Sequence, residues 1–477
     1  MENCLSNSEI EQIQLETWNR NAADSFSSIR NSLVQTGQWV PGQVMGRRFS
    51  IGCVALEITQ RCNLDCSLCY LSENSESIKD IPLAELFRRI DAIADHFGPL
   101  TDVQITGGDP TLRAPYELVE IVARIKRRGM RASLFTNGIR LKRERLENLV
   151  DAGLTDVAFH VDLTQDRKGY ATECDLNAQR LAYINRARGL PISVFFNTTI
   201  FDGNLNQIPD VVGFFARHSD IVSLASFQMA ADTGRGTADP VDSAALTTDK
   251  VVRQIEKGLG TGLSFDTVQV GHGQCNKYGM ALVTQERNFD LLDDKEYVRK
   301  VMQVSTDLEL DRTSKIKTAK NIICWLSRHP GLWGATLIWF ARKLRIWGGD
   351  LVRSRYRVNK LSIFVHSFMD ACALDPQRIQ ACSLMVATAN GPVSMCLHNA
   401  RRDAFLFQPL AIADPDNVTT GENSKEGRTY WHPVTGDYHA EKPEVAPSPP
   451  HPKVAKGRTK VRLKIGNHRS SERQVGP

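Results

Sequence analysis

From Cys53 to about Gly236 the chain alternates six times between short apolar runs of strand length and longer stretches with helical periodicity. The strand-like runs fall near 53–59, 102–106, 130–136, 155–161, 191–199 and 220–228. Between the first two, Leu86, Phe87, Ile90, Ile93, Ala94 and Phe97 recur at three and four and make one buried helical stripe. Strands separated by helices pair in parallel, so the pattern predicts an α/β fold with helices outside a parallel sheet. Ligands of such sheets gather at the C-terminal ends of the strands, and polar residues there carry the functional argument.

The first run, Val54 to Thr59, leads into Cys62-Asn-Leu-Asp-Cys66-Ser-Leu-Cys69-Tyr70. Three thiolates in eight residues can hold three corners of a 4Fe–4S cluster and leave the fourth iron for a ligand from solution. A structural zinc site takes four N or S ligands, commonly with paired C-x2-C spacing. No second C-x2-C occurs in the chain. Three unrelated buried cysteines are the remaining simple reading.

This C-x3-C-x2-C spacing closely resembles that of the radical S-adenosylmethionine superfamily, with Leu68 where that family usually has an aromatic residue. The resemblance implies a partial (β/α)6 barrel with a C-terminal α+β auxiliary-cluster extension. It also implies a 4Fe–4S cluster whose open iron chelates S-adenosylmethionine and cleaves it to a 5′-deoxyadenosyl radical, the cofactor carrying the chemistry. Thr106-Gly107-Gly108-Asp109-Pro110 resembles the family's GGE motif, with Asp for Glu. Carbonyls exposed by two glycines can receive the cofactor's ammonium, although the same tetrapeptide alone is simply a turn. Gly107, Gly108, Asp109 and Pro110 are therefore candidate cofactor-binding residues. Asn137 joins them, from a Thr136-Asn137-Gly138 segment that resembles the family's TNG turn, and so does Asn197 in the fifth run. His160 and Asp162 end the fourth run, and Arg235 after the sixth could pair with a carboxylate.

A second redox site is suggested between Cys382 and Cys396, which read as a β-hairpin with Asn390-Gly391 as its tight turn and the two cysteines facing each other. The Gly391-x4-Cys396 half resembles the auxiliary-cluster hairpin of many radical enzymes. The further C-x2-C-x5-C run of the full peptide-maturase domain is missing. Cys275 is the best third ligand of a second 4Fe–4S cluster, with Cys372 or Cys324 as the fourth or with one iron left open. An ordinary hairpin with two reduced cysteines is the alternative.

Eleven cysteines, odd in number and unevenly spaced, do not form a disulfide framework. The N-terminus lacks the basic start and apolar stretch of a secretory signal, so a reducing cytoplasmic location is expected. The net charge of +5 hides an asymmetry: residues 453–477 hold eight Lys or Arg against the single acid Glu472. That tail follows a Pro-rich stretch and has the composition of a disordered arm. It is either merely solvated or drawn to anionic lipid, with nucleic acid less favoured. Trp325, Trp333, Trp339 and Trp347 lie within 23 residues, followed by a basic strip from Arg342 to Lys360. This segment is either an interfacial helix at anionic head groups, peripheral to the inner membrane face, or a buried helical lid.

Val365-His366-Ser-Phe-Met369-Asp370, Asp375-Pro-Gln-Arg378 and Val393-Ser-Met-Cys396-Leu-His-Asn399 resemble the C-terminal half of the radical enzymes related to archaeal tetraether lipid synthase. That group also includes proteins proposed to methylate pterins without cobalamin, the class D type. The chain lacks the extra N-terminal cysteine pairs of the archaeal enzyme, having only Cys4 before residue 50. What the resemblance implies is abstraction of hydrogen from an unactivated C–H bond of a lipid or other apolar substrate, with a flavodoxin or ferredoxin as electron donor. Methyl transfer to a pterin-like or aliphatic carbon is the alternative, and peptide modification is disfavoured by the incomplete second cysteine set. An iron–sulfur redox or sensor protein without radical chemistry is the reading of another class. The expected organisation is a helical preface (1–49, helical around Ile10 to Trp18), the barrel (50–236), a connecting region with Cys275 (237–320), the Trp-rich basic segment (321–360), the hairpin region (361–410) and the tail (411–477).

Overall fold

The computed structural model describes residues 4–233, 246–308, 310–311, 314–355, 357–413 and 428–445. The basic tail from residue 453 and Arg235 lie outside these. Six parallel strands form where the apolar runs place them: β1 (Cys53–Thr59), β2 (Asp102–Gly107), β3 (Arg131–Thr136), β4 (Leu154–His160), β5 (Ser193–Ile200) and β6 (Val222–Met229). Helices α1 (Asn7–Gln12) and α2 (Ala22–Gln35) precede them, and α3 (Leu83–Phe97), α4 (Pro115–Arg127), α5 (Arg143–Ala152), α6 (Asn177–Ala187) and α7 (Ile208–Arg217) connect them. Successive side chains of a strand point to opposite faces, and here the two faces differ in chemistry. Val54, Leu56 and Ile58 join Val103, Ile105, Val157, Phe159, Val194 and Phe196 in the core that also holds Leu86, Ile90 and Ile93 of α3. The alternate residues, Glu57, Gln104, Thr106, His160, Asn197 and Gln228, line a cavity on the other side.

The chain continues through α8 (Thr248–Leu259), β7 (Asn276–Val283), β8 (Asn288–Asp290), α9 (Lys295–Val304), α10 (Lys315–Ser327), α11 (Trp333–Arg353), β9 (Asn359–Ser367), α12 (Pro376–Gln380), β10 (Leu384–Ala387), β11 (Pro392–Ser394), α13 (Met395–Ala400) and α14 (Arg402–Leu406). The sheet order is β11-β10-β1-β2-β3-β4-β5-β6-β9-β7-β8. The C-terminal part thus does not stand apart from the barrel. β9 adds in parallel to β6 and β10 adds in parallel to β1, so the later residues extend the sheet at both edges.

Three expectations change in detail. The N-terminal helix stops at Gln12, and the next helix is α2, capped by the Asn21 side chain. Trp18 is instead tied to the hairpin turn, its backbone N–H donating to the Asn390 carbonyl and its indole to the Thr388 carbonyl, both at 3.2 Å. The hairpin loop has four residues, because Ala387 pairs with Pro392 and the Thr388 N–H donates to the Gly391 carbonyl. Gly391 is required by close approach, since a Cβ there would lie 1.8 Å from the Glu16 carbonyl oxygen. Finally, the tryptophan segment is helical but two-sided. Trp325 and Trp347 are buried and Trp339 stacks on Tyr297 with centroids 5.1 Å apart, whereas Trp333 is 51% exposed. Among the described residues no helix is long and apolar enough to cross a membrane.

Candidate active site

The loop after β1 has no regular secondary structure over Gln60–Ser67, and the ends of the neighbouring strands hold it. Asn137 Nδ2 donates to Asn63 Oδ1 at 2.7 Å, the Ser67 N–H donates to the Thr164 carbonyl at 2.8 Å, and Tyr70 Oη donates to the Gly107 carbonyl at 3.1 Å. These ties present Cys62, Cys66 and Cys69 on the wall of one cavity of about 430 Å³. Burial pushes all three thiols up, Cys66 most strongly, and Cys69 raises both Cys62 and Cys66 further. A thiolate trio in such a place needs cationic iron to hold it, which is the donor set of a cluster with three protein ligands. Among the described residues no three His, Cys, Asp or Glu converge closely enough for a single ion. A cubane, which attaches each thiolate to a different iron, asks for no such convergence. Among the described lining residues there is no Lys or Arg, and Glu57 on the wall is paired with Arg402 from behind it.

The turn after β2 divides the expected cofactor residues. Gly107, at φ +129, and Gly108 line the cavity, and a Cβ on either would lie 2.0 Å from the carbonyl oxygen of Thr59 or Arg61 respectively. Only glycine lets the end of β2 lie against the start of the cysteine loop. Asp109 and Pro110 do not line the cavity. The Asp109 carboxylate is fully buried and accepts from the Thr111 N–H and hydroxyl, from Thr136 Oγ1 at 2.8 Å and from the Asn137 N–H at 2.9 Å. It therefore fixes the ends of β2 and β3 relative to each other. Asn137 and Asn197 both line the cavity.

His160 lines it too, with Nε2 2.7 Å from Asp162 Oδ2 and 3.1 Å from Thr199 Oγ1. Burial works against the imidazolium, but Asp162 outweighs it and the His160 pKa is raised. Burial likewise works against the Asp162 carboxylate, but His160 and hydrogen bonds from Thr164 and the Thr199 N–H bring it down to about 2.

Other wall residues come from the C-terminal part, which the sequence marked by its family-like segments without assigning these side chains a role: Phe368, Met369, Val386, Met395 and Asn399. Arg402 holds this part in place. It is fully buried, pairs with Glu57 of β1, donates to Asn399 Oδ1 at 3.0 Å and lies over the Tyr70 ring at 5.0 Å. Burial raises the Glu57 carboxyl, but Arg402 and His398 more than offset it, leaving the pKa low. The available signal was Glu57 itself, a carboxylate inside an otherwise buried strand, which demands a partner.

The second cysteine group is assembled from three segments. Cys396 falls in the first turn of α13, so it does not sit across a β ladder from Cys382. Cys382, pushed up to about 12 by burial first and then by Cys396 and Cys275, and Cys396, pushed up to about 11, nevertheless share one electrostatic environment with Cys275. Arg378 Nε donates to Cys275 Sγ at 3.2 Å, the Met369 N–H donates to Cys396 Sγ at 3.4 Å, and Cys382 Sγ donates to the Leu384 carbonyl at 3.1 Å. Cys324 is exposed on α10 and Cys372 is exposed before α12.

Residues 56–215 match the model of the Radical SAM superfamily. The 7,8-dihydro-6-hydroxymethylpterin dimethyltransferase of Methanocaldococcus jannaschii is 25% identical over 209 residues, covering 42% of this chain and 41% of that protein. The PqqA peptide cyclase of Bradyrhizobium diazoefficiens is 34% identical over 164 residues, covering 33% and 42%. The chain thus spans less than half the length of both relatives. The solved structure of native anSMEcpe with bound AdoMet aligns over 46% of this chain and 63% of that one, at 15% identity and a TM-score of 0.34. Sequence match, cysteine loop and parallel sheet agree, and residues 56–215 of this chain are a domain of the Radical SAM superfamily.

Proposed function

We propose that this protein is a radical S-adenosylmethionine enzyme that abstracts hydrogen from an unactivated C–H bond of a lipid or another apolar substrate. The observation that carries the proposal is the opening of Cys62, Cys66 and Cys69 onto one cavity, opposite the polar ends of the parallel strands. The chemistry that a bound 4Fe–4S cluster and S-adenosylmethionine supply is one-electron cleavage of the sulfonium, fed by a flavodoxin or ferredoxin, to a radical that removes a substrate hydrogen atom. The chain's own residues bind and orient. The three cysteines are the cluster ligands, the backbone of Gly107 and Gly108 with Asn137 and Asn197 receives the polar groups of the cofactor, and Asp109 keeps two of those strand ends in register. His160, its Nε2 held by Asp162 and Thr199, places its ring on the cavity wall. Phe368, Met369, Val386 and Met395 supply an apolar wall that excludes water from a reacting C–H bond.

Cys275, Cys382 and Cys396 are proposed as ligands of a second 4Fe–4S cluster that passes electrons or binds an intermediate. Peripheral contact with an anionic membrane from the cytoplasmic side accompanies a lipid substrate in this account. The second reading is methyl transfer to a pterin-like carbon, favoured by the similarity to the pterin dimethyltransferase and by the amides Gln104, Gln228 and Asn399 on the wall, which can pair with a heterocycle.

The test is anaerobic reconstitution and reduction followed by chromatographic assay of 5′-deoxyadenosine, which forms even without substrate. Cys62→Ala, Cys66→Ala and Cys69→Ala each abolish it; wild-type turnover in any of the three overturns the assignment. Methyl-labelled S-adenosylmethionine separates the two readings, because label enters the product only in the second.

A further inference from the structure

We infer that the outward face of α11 is a docking surface for an anionic lipid bilayer, with the helix lying in the plane of the head groups. The helix runs 21 residues, about 31 Å at 1.5 Å per residue. Its inward face is already engaged. Trp347 meets Phe289 and Trp339 meets Tyr297, Lys343 pairs with Asp293, Arg342 pairs with Asp294, and Asp350 pairs with Arg287. These contacts fix α11 on the protein beside β8, the edge strand of the sheet, so a stripe left exposed beside them cannot be buried by rolling the helix over.

That stripe lies about a quarter turn from the engaged face and repeats at four, three and four: Trp333, Leu337, Phe340 and Leu344 are 51%, 68%, 53% and 44% exposed. Such spacing lines one side of a helix, and exposed apolar side chains that line up are uncommon on a free surface. Within its own stretch of chain the charge is almost all of one sign. Between Lys315 and Arg353 the only acid is Asp350, which is buried and paired, while Arg345, Arg355 and Arg357 are exposed and make no ion pair among the described residues. An apolar stripe with a tryptophan at one end, in a segment with exposed arginines on and just after the helix, is the composition of an interfacial helix. Negative head groups complement those arginines. A second copy of this surface does not, because an isologous contact would meet an identical face with no acid to pair the arginines. The active-site cavity is built at the C-terminal ends of the strands, so this face is an anchor and not part of the cavity wall.

The experiment is sedimentation of the full chain with vesicles of phosphatidylcholine alone or with phosphatidylglycerol added, at low and high salt. The expected result is binding to the anionic vesicles that weakens with salt, and a loss of about tenfold or more in the Leu337→Glu, Phe340→Glu double variant. Both side chains are exposed, so circular dichroism and Tm stay those of the wild type. The proposal is overturned if the chain binds neither vesicle, or if the double variant binds like the wild type, which would assign the binding elsewhere in the chain. It is also overturned if sedimentation velocity shows a dimer that the double variant dissociates, because a second copy would then cover the face.

Discussion

The two cysteine groups share residue type and burial, yet they are built in opposite ways. Cys62, Cys66 and Cys69 come from one loop of eight residues, and all three line a cavity. Cys275, Cys382 and Cys396 come from three segments spread over more than a hundred residues, do not line that cavity, and already exchange hydrogen bonds with Arg378, the Met369 N–H and the Leu384 carbonyl. The difference teaches what each group is suited to. A site beside open space accepts a further ligand at a free iron, whereas a closed, hydrogen-bonded site tunes potential and stability.

The largest effect that would sharpen this contrast concerns iron. Replacing Cys62, Cys66 and Cys69 together by Ala leaves about four irons per chain, the content of one cubane, and adding Cys382→Ala and Cys396→Ala removes them. Iron-free protein after the first three substitutions would break the comparison by making the second group purely structural. Gly108→Ala comes next. Its Cβ would collide with the Arg61 carbonyl 2.0 Å away, displacing the start of the cysteine loop. The expected outcome is loss of 5′-deoxyadenosine formation by about a hundredfold or more, as for misplaced reacting groups generally, with the iron of the second group retained.

Arg402→Ala acts on the link between the two regions. Leaving Glu57 buried and unpaired costs about 3–5 kcal/mol, measurable by denaturant unfolding, and the double change Arg402→Met with Glu57→Gln recovers part of it. Equal stability of Arg402→Ala and the wild type would show that the C-terminal wall is not held by this pair. The smallest effect is on pH dependence. Asp162, depressed to about 2 from 3.8, adds stability present above pH 3.8 and lost as pH falls toward 2. His160, raised above 6.5, adds stability that is full below 6.5 and lost as pH rises through its higher value. Asp162→Asn therefore destabilises by on the order of 2 kcal/mol, most between about pH 4 and 6.5, with the gap narrowing above. A gap that widens above pH 6.5 would contradict the pairing.

The barrel was legible because each strand is a short apolar run bounded by turn residues, and because the cysteine loop and the Gly107-Gly108 turn each sit whole within a few neighbours. What escaped depends on distant partners. Nothing local says that Asn359–Ser367 pairs with β6 or that Leu384–Ala387 pairs with β1. The tie between Arg402 and Glu57 spans 345 residues, and Asp109 takes its role from Thr136 and Asn137 on the next strand. Helix α2 was missed although Asn21 caps it and Phe26, Ile29 and Leu33 keep a helical spacing, because a stripe of three large apolar residues among polar neighbours is thin. The tryptophan segment looked like a choice between buried and interfacial because composition does not separate the faces of a helix, and α11 has both buried and exposed apolar residues.

The most direct test of the contrast is electron paramagnetic resonance of the reduced protein with and without S-adenosylmethionine. In the Cys275→Ala, Cys382→Ala, Cys396→Ala variant the remaining cluster signal shifts when S-adenosylmethionine is added, because the cysteines that would hold that cluster line the cavity. In the Cys62→Ala, Cys66→Ala, Cys69→Ala variant the remaining signal is unchanged by the cofactor. A signal that ignores S-adenosylmethionine in the first variant, or responds to it in the second, would contradict the account.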